Sequence, residues 1–355
     1  MDEHFAPERH SHGPRFLLLG AGFSRNWGGW LASEVFEYLL GTPEVLADDG
    51  LRTHLWNYRL GGFEDAINEL QRTILASAER RPEDNHSYWD WGIDNALPLR
   101  DHLGKLQSAV NRMFADMNKA IAREFELHQG NTRFIGAFLA RFDAIFTLNQ
   151  DLLLERLYVR GLEQGSGGRW KGACLPGMRQ GDRLPEARDE LHFWSDYNWH
   201  PHLKEKFKVV PEMQPIFKLH GSTNWSTVGG NPMMIIGGEK TRAIEQFDVL
   251  RWYAEEFERL MSDGARLMII GYGFRDKHIN DAMIRAAKNG LKLFVVDPYG
   301  SELDEKADAW NQPSTSDVHE LFKQSLIGAS RRNIAETLAG EGGAENTKLR
   351  RFFST

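Results

Sequence analysis

Four short segments of the chain combine glycine with polar side chains suited to chemistry on a bound ligand. Each segment comes directly after an apolar, strand-like run. Open α/β sheets bind ligands at the carboxyl ends of their strands, so these segments predict one site that holds a dinucleotide and acts on it. The segments are Gly20-Ala21-Gly22-Phe23-Ser24, Thr147-Leu148-Asn149-Gln150-Asp151, Lys218-Leu219-His220-Gly221-Ser222 and Gly271-Tyr272-Gly273-Phe274-Arg275-Asp276.

The first segment is a glycine turn between a strand and a helix. Glycines there let the backbone approach a pyrophosphate, and the N-terminus of the following helix favours the anion. The complete G-x-G-x-x-G pattern is absent because Arg25 holds its last position, and the acidic residue that usually follows is not evident. An ordinary turn in which Ser24 caps the helix is the alternative. The predicted cofactor contacts are Gly20, Ala21, Gly22, Phe23 and Ser24.

Asn149 and His220 are the candidate catalytic residues. The amide of Asn149 both donates and accepts hydrogen bonds, and the nearby carboxylate of Asp151 accepts them from hydroxyl groups, so both suit a ribose. The alternative for Asp151 is that it caps the next helix. The imidazole of His220 suits a general base because histidine titrates near neutral pH. Its alternative is a structural histidine that bonds a nearby carbonyl.

Two further strand ends supply candidate cofactor contacts. Gly271, Tyr272 and Gly273 form a second loop in which the backbone can approach a ligand. The alternative is a glycine turn followed by the polar helix caps Asp276, His278 and Asn280. Asp297 ends the last strand, where it can accept a hydrogen bond from a ribose or an adenine, or cap a turn at Pro298.

Apolar runs and helical periodicity predict the elements that must position these residues. Short apolar runs predict strands at Phe16–Leu19, Ala144–Thr147, Pro215–Leu219, Met233–Ile236, Arg266–Ile270 and Leu291–Val296. Helical periodicity predicts helices at Ala32–Leu40, from Glu64, at Leu106–Leu127, from Leu152, and at Phe247–Met261, Ile279–Lys288 and Val318–Leu326. Strands that alternate with helices predict an α/β fold, a Rossmann-like doubly wound parallel sheet with a helical insertion.

The same pattern predicts one nucleotide-binding domain over residues 14–300. We expect a helical insertion at about 51–139, because that stretch shows no convincing strand. Residues from about 161 to 210 are rich in Gly, Trp, Pro and His, which predicts an irregular excursion or lid. Residues 301–355 are expected to form a helical tail that packs on the core.

Composition restricts the class of protein. The 355 residues include 43 Lys and Arg against 50 Asp and Glu, a formal net charge of −7, so direct nucleic-acid binding is not expected. The single cysteine, Cys174, excludes disulfides and thiolate zinc clusters within the chain and favours a cytoplasmic location. Residues 1–13 lack the apolar core of a signal peptide, and no apolar run is long enough for a membrane span.

Taken in order, the four segments resemble the motifs of the Sir2-like family, relatives of sirtuins often encoded in bacterial antiphage systems. Residues 20–24 match Gly-Ala-Gly-x-Ser, residues 147–151 match Thr-x-Asn-x-Asp, and residues 218–222 match the catalytic His-Gly segment. Residues 271–279 resemble a later Gly-Tyr-Ser/Gly-x-x-Asp-x-x-Ile motif. The resemblance implies a Rossmann-like fold that binds NAD⁺ and breaks its bond to nicotinamide. It implies that Asn149 orients the ribose and a water, that His220 takes a proton, and that Asp151 is a secondary ribose contact.

The chain departs from protein-deacylating sirtuins in one respect. Those enzymes carry a zinc module with four cysteines, whereas this chain has only Cys174. The resemblance therefore implies a metal-free NAD⁺ hydrolase, a NAD-depleting effector of abortive infection in antiviral defence. It also implies a homo-oligomer and a separately encoded regulator such as a HerA-type ATPase. The alternatives are a NAD-dependent protein deacylase or ADP-ribosyltransferase, and a non-catalytic subunit that binds NAD or ADP-ribose within a larger complex.

Overall fold

The computed structural model describes residues 13–79, 88–127, 135–159, 168–185, 193–237, 240–261, 264–310, 317–338 and 343–354. The chain divides into two compact units. The first unit contains Met1–Gly29, Ala120–Met234 and Ile244–Thr355, and the second contains Trp30–Lys119 and Ile235–Ala243.

The described residues form eleven strands. They are β1 Arg15–Leu19, β2 Ala144–Thr147, β3 Gly172–Cys174, β4 Met178–Arg183, β5 Tyr197–Pro201, β6 Met213–Lys218, β7 Gly221–Ser226, β8 Pro232–Met234, β9 Arg266–Ile270, β10 Lys292–Val296 and β11 Leu326–Ser330. Seven of them form one sheet in the order β11-β10-β9-β1-β2-β6-β3, and every neighbouring pair in it is parallel. The other four form a smaller sheet in the order β4-β5-β7-β8.

Helices flank the seven-stranded sheet, so the fold is α/β and Rossmann-like, as the alternating pattern predicts. The helices are α1 Ala21–Ser24, α2 Ala32–Leu40, α3 Pro43–Leu46, α4 Asp49–Asn57, α5 Phe63–Glu79, α6 Tyr88–Leu127, α7 Leu153–Leu157, α8 Lys240–Glu245, α9 Asp248–Leu260, α10 Lys277–Ala287, α11 Leu303–Trp310, α12 Asp317–Ser325, α13 Ile334–Leu338 and α14 Ala344–Ser354. Residues 135–139 are helical as well. All residues of β2 and β9 are buried, as expected for strands covered on both faces.

Aromatic side chains form much of the core around the central strands. Phe146 on β2 and Phe217 on β6 stack with ring centres 5.0 Å apart. The C-terminal helix α14 buries Phe353, which contacts Phe142 edge-on at 5.4 Å. The guanidinium carbon of Arg141 lies 3.4 Å from the centre of the Phe353 ring, a cation–π geometry. These contacts fix α14 on the first unit.

The strand predicted at Met233–Ile236 is present in part as β8, but its predicted place in the parallel sheet is wrong. Strand β8 is short and pairs antiparallel with β7 in the smaller sheet. A four-residue apolar run does not reveal which sheet it will join. Within the predicted excursion at 161–210, the described residues include β3, β4 and β5 rather than irregular chain alone.

The tail beyond residue 300 is not purely helical. Its strand β11 extends the parallel sheet at the edge of β10. Gly328 lies in that strand, and a Cβ there would come within 2.7 Å of the ring of Phe294. Glycine weakens a strand pattern in the sequence, but the close approach of Phe294 requires it. This contact explains why the strand gives little sequence signal.

The second unit shows no strand among its described residues, and the predicted insertion at 51–139 overlaps it. Its helix α4 is capped by Asp48, which accepts a hydrogen bond from the Leu51 N–H at 2.9 Å. Lys105 donates to the same carboxylate at 2.8 Å. The Lys105 hydrogen bond, followed by the Leu51 N–H, lowers the pKa of Asp48 to about 2. Asp48 is therefore ionised in this fold at neutral pH.

Cys174 at the end of β3 provides a reporter of folding. Burial raises the pKa of its thiol to about 12, and only the thiolate is the reactive nucleophile. We expect iodoacetamide to label the native protein near neutral pH at least about 100-fold more slowly than a free thiol. Labelling should reach the rate of a free thiol in denaturant. Mass spectrometry over time measures both rates, and rapid labelling of the folded chain would contradict the burial of this thiol.

Candidate functional site

The carboxyl ends of five neighbouring strands are aligned in one row. The residues in register across these strands are Val296, Ile270, Leu19, Thr147 and Lys218. Neighbouring strands lie about 4.8 Å apart, so the row spans about 19 Å. The candidate residues follow this row directly: Asp297, Gly271, Gly20, Asn149 and His220. The sheet thus brings the predicted segments to one edge, with Asn149 and His220 on adjacent strands and Asp297 at the far end.

The glycines of the first turn pack against the loop that follows β9. Gly22 donates its N–H to the carbonyl of Gly271 at 2.9 Å, and a Cβ on Gly22 would lie 2.7 Å from the Gly271 Cα. Gly20 donates its N–H to Ile270 at 3.0 Å, and Phe23 donates to Gly20 at 2.9 Å. Contact between two backbones therefore accounts for these glycines, and these three N–H groups already have carbonyl partners. Ala21 is exposed at the tip of this turn.

Asn149 is held in place by two hydrogen bonds from its amide nitrogen. Nδ2 donates to the carbonyl of Gly20 at 2.9 Å and to Oγ of Ser24 at 2.9 Å. The backbone N–H of Asn149 also donates to Oγ1 of Thr147 at 3.0 Å. Ser24 makes no side-chain capping bond to a helix, so here it anchors Asn149. Because Nδ2 has only two hydrogens, Oδ1 is the atom of Asn149 that can act on a ligand.

A small cavity opens beside Asn149. The space beside Asn149, with the open solvent at its mouth included, is about 180 Å³. The lining residues are Leu19, Phe23, Ser24, Thr147, Asn149, Asp151, Leu153, Leu154 and Lys218.

A buried ion pair lies below this cavity. Lys218 donates from Nζ to the carbonyl of Asp151 at 2.6 Å and to Oε1 of Glu155 at 2.7 Å. Oδ1 of Asp151 accepts a hydrogen bond from the N–H of Leu153, the first residue of α7, at 3.0 Å. The N-cap of α7 is Leu152, and Asp151 also lines the cavity. The sequence does not reveal the role of Lys218, because its partner Glu155 is 63 residues away.

His220 lies in the turn that connects the two sheets, and 3% of it is exposed. Its Nε2 lies 3.2 Å from Nε2 of His278, at the start of α10, so one ring donates a hydrogen bond and the other accepts it. Gly221 follows with φ +74°, a conformation that favours glycine. A Cβ there would overlap the carbonyl of Met233 on β8. Gly221 therefore fixes the direction in which the chain turns at His220 after β6.

The loop after β9 is held by hydrogen bonds from its own side chains. The N–H of Asp276 donates to the Tyr272 hydroxyl oxygen at 3.0 Å, and that hydroxyl donates to Oδ1 of Asn280 at 2.9 Å. Asn280 donates to the carbonyl of Phe274 at 2.8 Å, where φ is +54°, a strained value for a non-glycine residue. Burial raises the pKa of Tyr272 well above its usual value. The Tyr272 phenol is thus a brace for this loop, and Gly273 is half-buried within it.

This loop supplies two residues beyond the predicted site. One ligand atom each from His220, Asp276 and His278 lie within 4.8 Å of one another, a group that could hold a metal ion. The sequence predicts no metal, and reads Asp276 and His278 only as possible helix caps. The side chain of Asp276 makes no capping hydrogen bond to α10. The Asp-x-His spacing directly after a glycine loop is the signal that points to them.

Asp297 takes the turn-capping role that the sequence left open. Its Oδ1 accepts a hydrogen bond from the N–H of Tyr299 at 2.9 Å. Burial raises the pKa of Asp297, although this backbone hydrogen bond opposes the shift. The carboxyl group ends the last strand of the row, four strands from His220.

The match to known families follows this geometry. Residues 143–316 match the family model of the SIR2-like domain. This match supports the Sir2-like family, whose members are NAD-utilising enzymes, and thereby an NAD-related activity. The matched residues of the SIR2-like domain include Asn149, His220 and the loop from Gly271, while the turn at 20–24 precedes them. No curated protein matches the chain. Among the described residues, no helix has the length and apolar character of a membrane span.

Proposed function

We propose that this protein hydrolyses NAD⁺ to nicotinamide and ADP-ribose, with Asn149 and His220 as catalytic residues. One observation carries the proposal. An anchored asparagine and a buried histidine follow adjacent parallel strands of a SIR2-like domain, at equivalent positions after the register pair Thr147 and Lys218. A rigid pair of this kind orients a nucleophile against a bound reactant.

The chemistry needs few groups. Nicotinamide leaves NAD⁺ as a neutral molecule, so no general acid is required. The bond between the ribose C1′ and the nicotinamide nitrogen breaks with its electron pair, and a water oxygen bonds to C1′. Oδ1 of Asn149 accepts a hydrogen bond from that water or from a ribose hydroxyl, and His220 takes the released proton. Asn149 is suited to this role because its amide nitrogen is already fixed by Gly20 and Ser24.

The dinucleotide is longer than the cavity beside Asn149. We place the nicotinamide riboside end there, next to Ser24 and Asp151. The rest of NAD⁺ then follows the row of strand ends past the glycine turn and the loop from Gly271. In this arrangement Asp297 lies toward the adenosine end. The contacts from the first turn come from exposed Ala21 and from Ser24, because the N–H groups of Gly20, Gly22 and Phe23 are engaged within the chain.

The proposed cellular role is that of a NAD-depleting effector in antiphage defence. It is supported by the resemblance to bacterial Sir2-like effectors and by the missing zinc cysteines. A toxic hydrolase must be inactive until triggered, so we also propose self-assembly and control by a separately encoded partner, such as a HerA-type ATPase.

The test is incubation of the purified protein with NAD⁺, with nicotinamide and ADP-ribose followed by chromatography. We expect turnover by the wild type that Asn149→Ala abolishes, because the nucleophile is then no longer oriented. Asn198→Ala is the matched control. Asn198 is a half-buried asparagine that donates to Ser226 at 2.9 Å in the smaller sheet, so this variant should keep full turnover.

The remaining outcomes separate the alternatives. If neither protein turns over alone, the assay is repeated with the product of the neighbouring gene. Turnover that then appears in the wild type and not in Asn149→Ala supports a regulated hydrolase. NAD⁺ binding without turnover under every condition would contradict the proposal and favour a binding subunit. Release of nicotinamide only in the presence of an acylated peptide would favour a deacylase.

A further inference from the structure

Three side chains from two distant segments meet, and one of them is the proposed catalytic histidine. His220 follows β6, whereas Asp276 and His278 come from the loop and helix after β9. One ligand atom of each lies within 4.8 Å of the others, and the two Nε2 atoms are 3.2 Å apart. Two imidazoles and one carboxylate are a common ligand set for zinc and related divalent transition metals, with positions left open for a further ligand.

We propose that His220, Asp276 and His278 bind a divalent transition-metal ion of the zinc class, and that the bound ion switches the NAD⁺ site off. The spacing fits such an ion. A tetrahedral ion with bonds of about 2.0–2.1 Å holds two nitrogens about 3.3 Å apart, close to the observed separation of the Nε2 atoms. A carboxylate oxygen of Asp276 lies within 4.8 Å of a ring nitrogen of each histidine.

The backbone that carries Asp276 is fixed before any ion arrives. Its N–H donates to the hydroxyl oxygen of Tyr272, and that hydroxyl donates to Oδ1 of Asn280. The amide nitrogen of Asn280 in turn donates to the carbonyl of Phe274. The carboxylate is not used to cap α10. A ligand set held by its own scaffold loses little conformational entropy when the ion binds.

A proton and a metal ion compete for the same two nitrogens. The 3.2 Å contact between His220 and His278 requires one proton between the two Nε2 atoms. Metal ligation requires the lone pairs of both atoms, so binding releases that proton.

The inhibitory part of this inference rests on the proposed function. A metal ion on Nε2 of His220 removes the lone pair that would take the proton from water. The doubly charged ion also lies next to a ribose that becomes positively charged in the transition state, and like charges repel. Both effects slow hydrolysis, so the ion acts as an inhibitor rather than as a cofactor.

The experiment titrates Co²⁺ into the chelator-treated full-length protein and follows the visible ligand-field absorption. We expect one equivalent per chain, with affinity reduced by at least about 10-fold in His278→Ala and in Asp276→Asn. His319→Ala is the matched control, because His319 also pairs with a carboxylate, Asp304 at 2.7 Å. The double variant His10→Ala/His12→Ala tests the histidines near the N-terminus. Both controls should bind as the wild type does.

A second measurement gives the ratio of NAD⁺ turnover with and without Zn²⁺ for each protein. The wild type should be inhibited and recover with chelator, whereas Asp276→Asn should lose most of this sensitivity. Absence of Co²⁺ binding, wild-type affinity in His278→Ala, or loss of binding in His10→Ala/His12→Ala would each overturn the metal site. Zn²⁺-insensitive turnover by a protein that binds Co²⁺ would overturn inhibition. Co²⁺ binding without any turnover would remove the hydrolase and leave the metal site standing.

Discussion

His220→Ala lowers the rate of NAD⁺ hydrolysis by about 100- to 10,000-fold, the range expected when a general base is lost. The imidazole is almost fully buried in the turn directly beyond β6, and Asn149 follows the neighbouring strand β2. Affinity for NAD⁺ should change little, because the cavity is lined by other residues. Steady-state kinetics and calorimetric titration measure the two effects separately.

Two further variants make this expectation specific. His220→Gln retains a side chain that can hydrogen-bond His278, so it guards against a general loss of folding while still lacking a base. His200→Ala is the matched control. His200 is half-buried on β5, with Nδ1 bonded to the carbonyl of Ser226 at 3.1 Å, and its loss should leave turnover unchanged. Wild-type turnover in folded His220→Gln would remove His220 from the mechanism, whatever the behaviour of His220→Ala.

The central strands are predictable from the sequence because local and global signals agree there. At Phe16–Leu19, Ala144–Thr147 and Arg266–Ile270 an apolar run ends at a glycine or polar segment, and each run is a buried parallel strand. The edge strands lack this agreement. β3 is three residues long and contains glycine, and β11 needs Gly328 to clear Phe294. Such strands depend on a neighbour that the local pattern does not contain.

The candidate site is predictable from the sequence to a similar extent. Position at a strand end is a local property, so the sequence identifies Asn149 and His220 as neighbours in space, and their catalytic roles stay predictions. The contact of His220 with His278 joins residues 58 positions apart and depends on the path of a rigid loop. The role of Gly22 is likewise set by Gly271, 249 residues further along the sequence. A glycine motif alone does not tell whether its backbone approaches a phosphate or another backbone.

Gly271→Ala lowers the free energy of unfolding by about 2–5 kcal/mol. Gly271 has φ +65°, where an L-residue costs about 1–2 kcal/mol, and its new Cβ would overlap backbone atoms of Gly22 and Phe23. Forcing apart two well-packed segments costs about 1–3 kcal/mol more. The displaced segment carries the Gly20 carbonyl, which accepts from Nδ2 of Asn149. Turnover by the fraction that remains folded should therefore fall as well.

Gly168→Ala separates the two contributions. Gly168 has φ +62°, nearly the same as Gly271, but a Cβ there would meet nothing within 4 Å. The free energy of unfolding of this control should fall only by the cost of the positive φ angle, about 1–2 kcal/mol. Its turnover should not change. Urea unfolding followed by Cys174 labelling compares the two variants directly. A larger loss in Gly271→Ala, together with lower turnover, would show that the contact between the two loops sets the position of Asn149. Equal stability and turnover in the two variants would mean that the two loops separate with little loss of free energy. The position of Asn149 would then not depend on their contact.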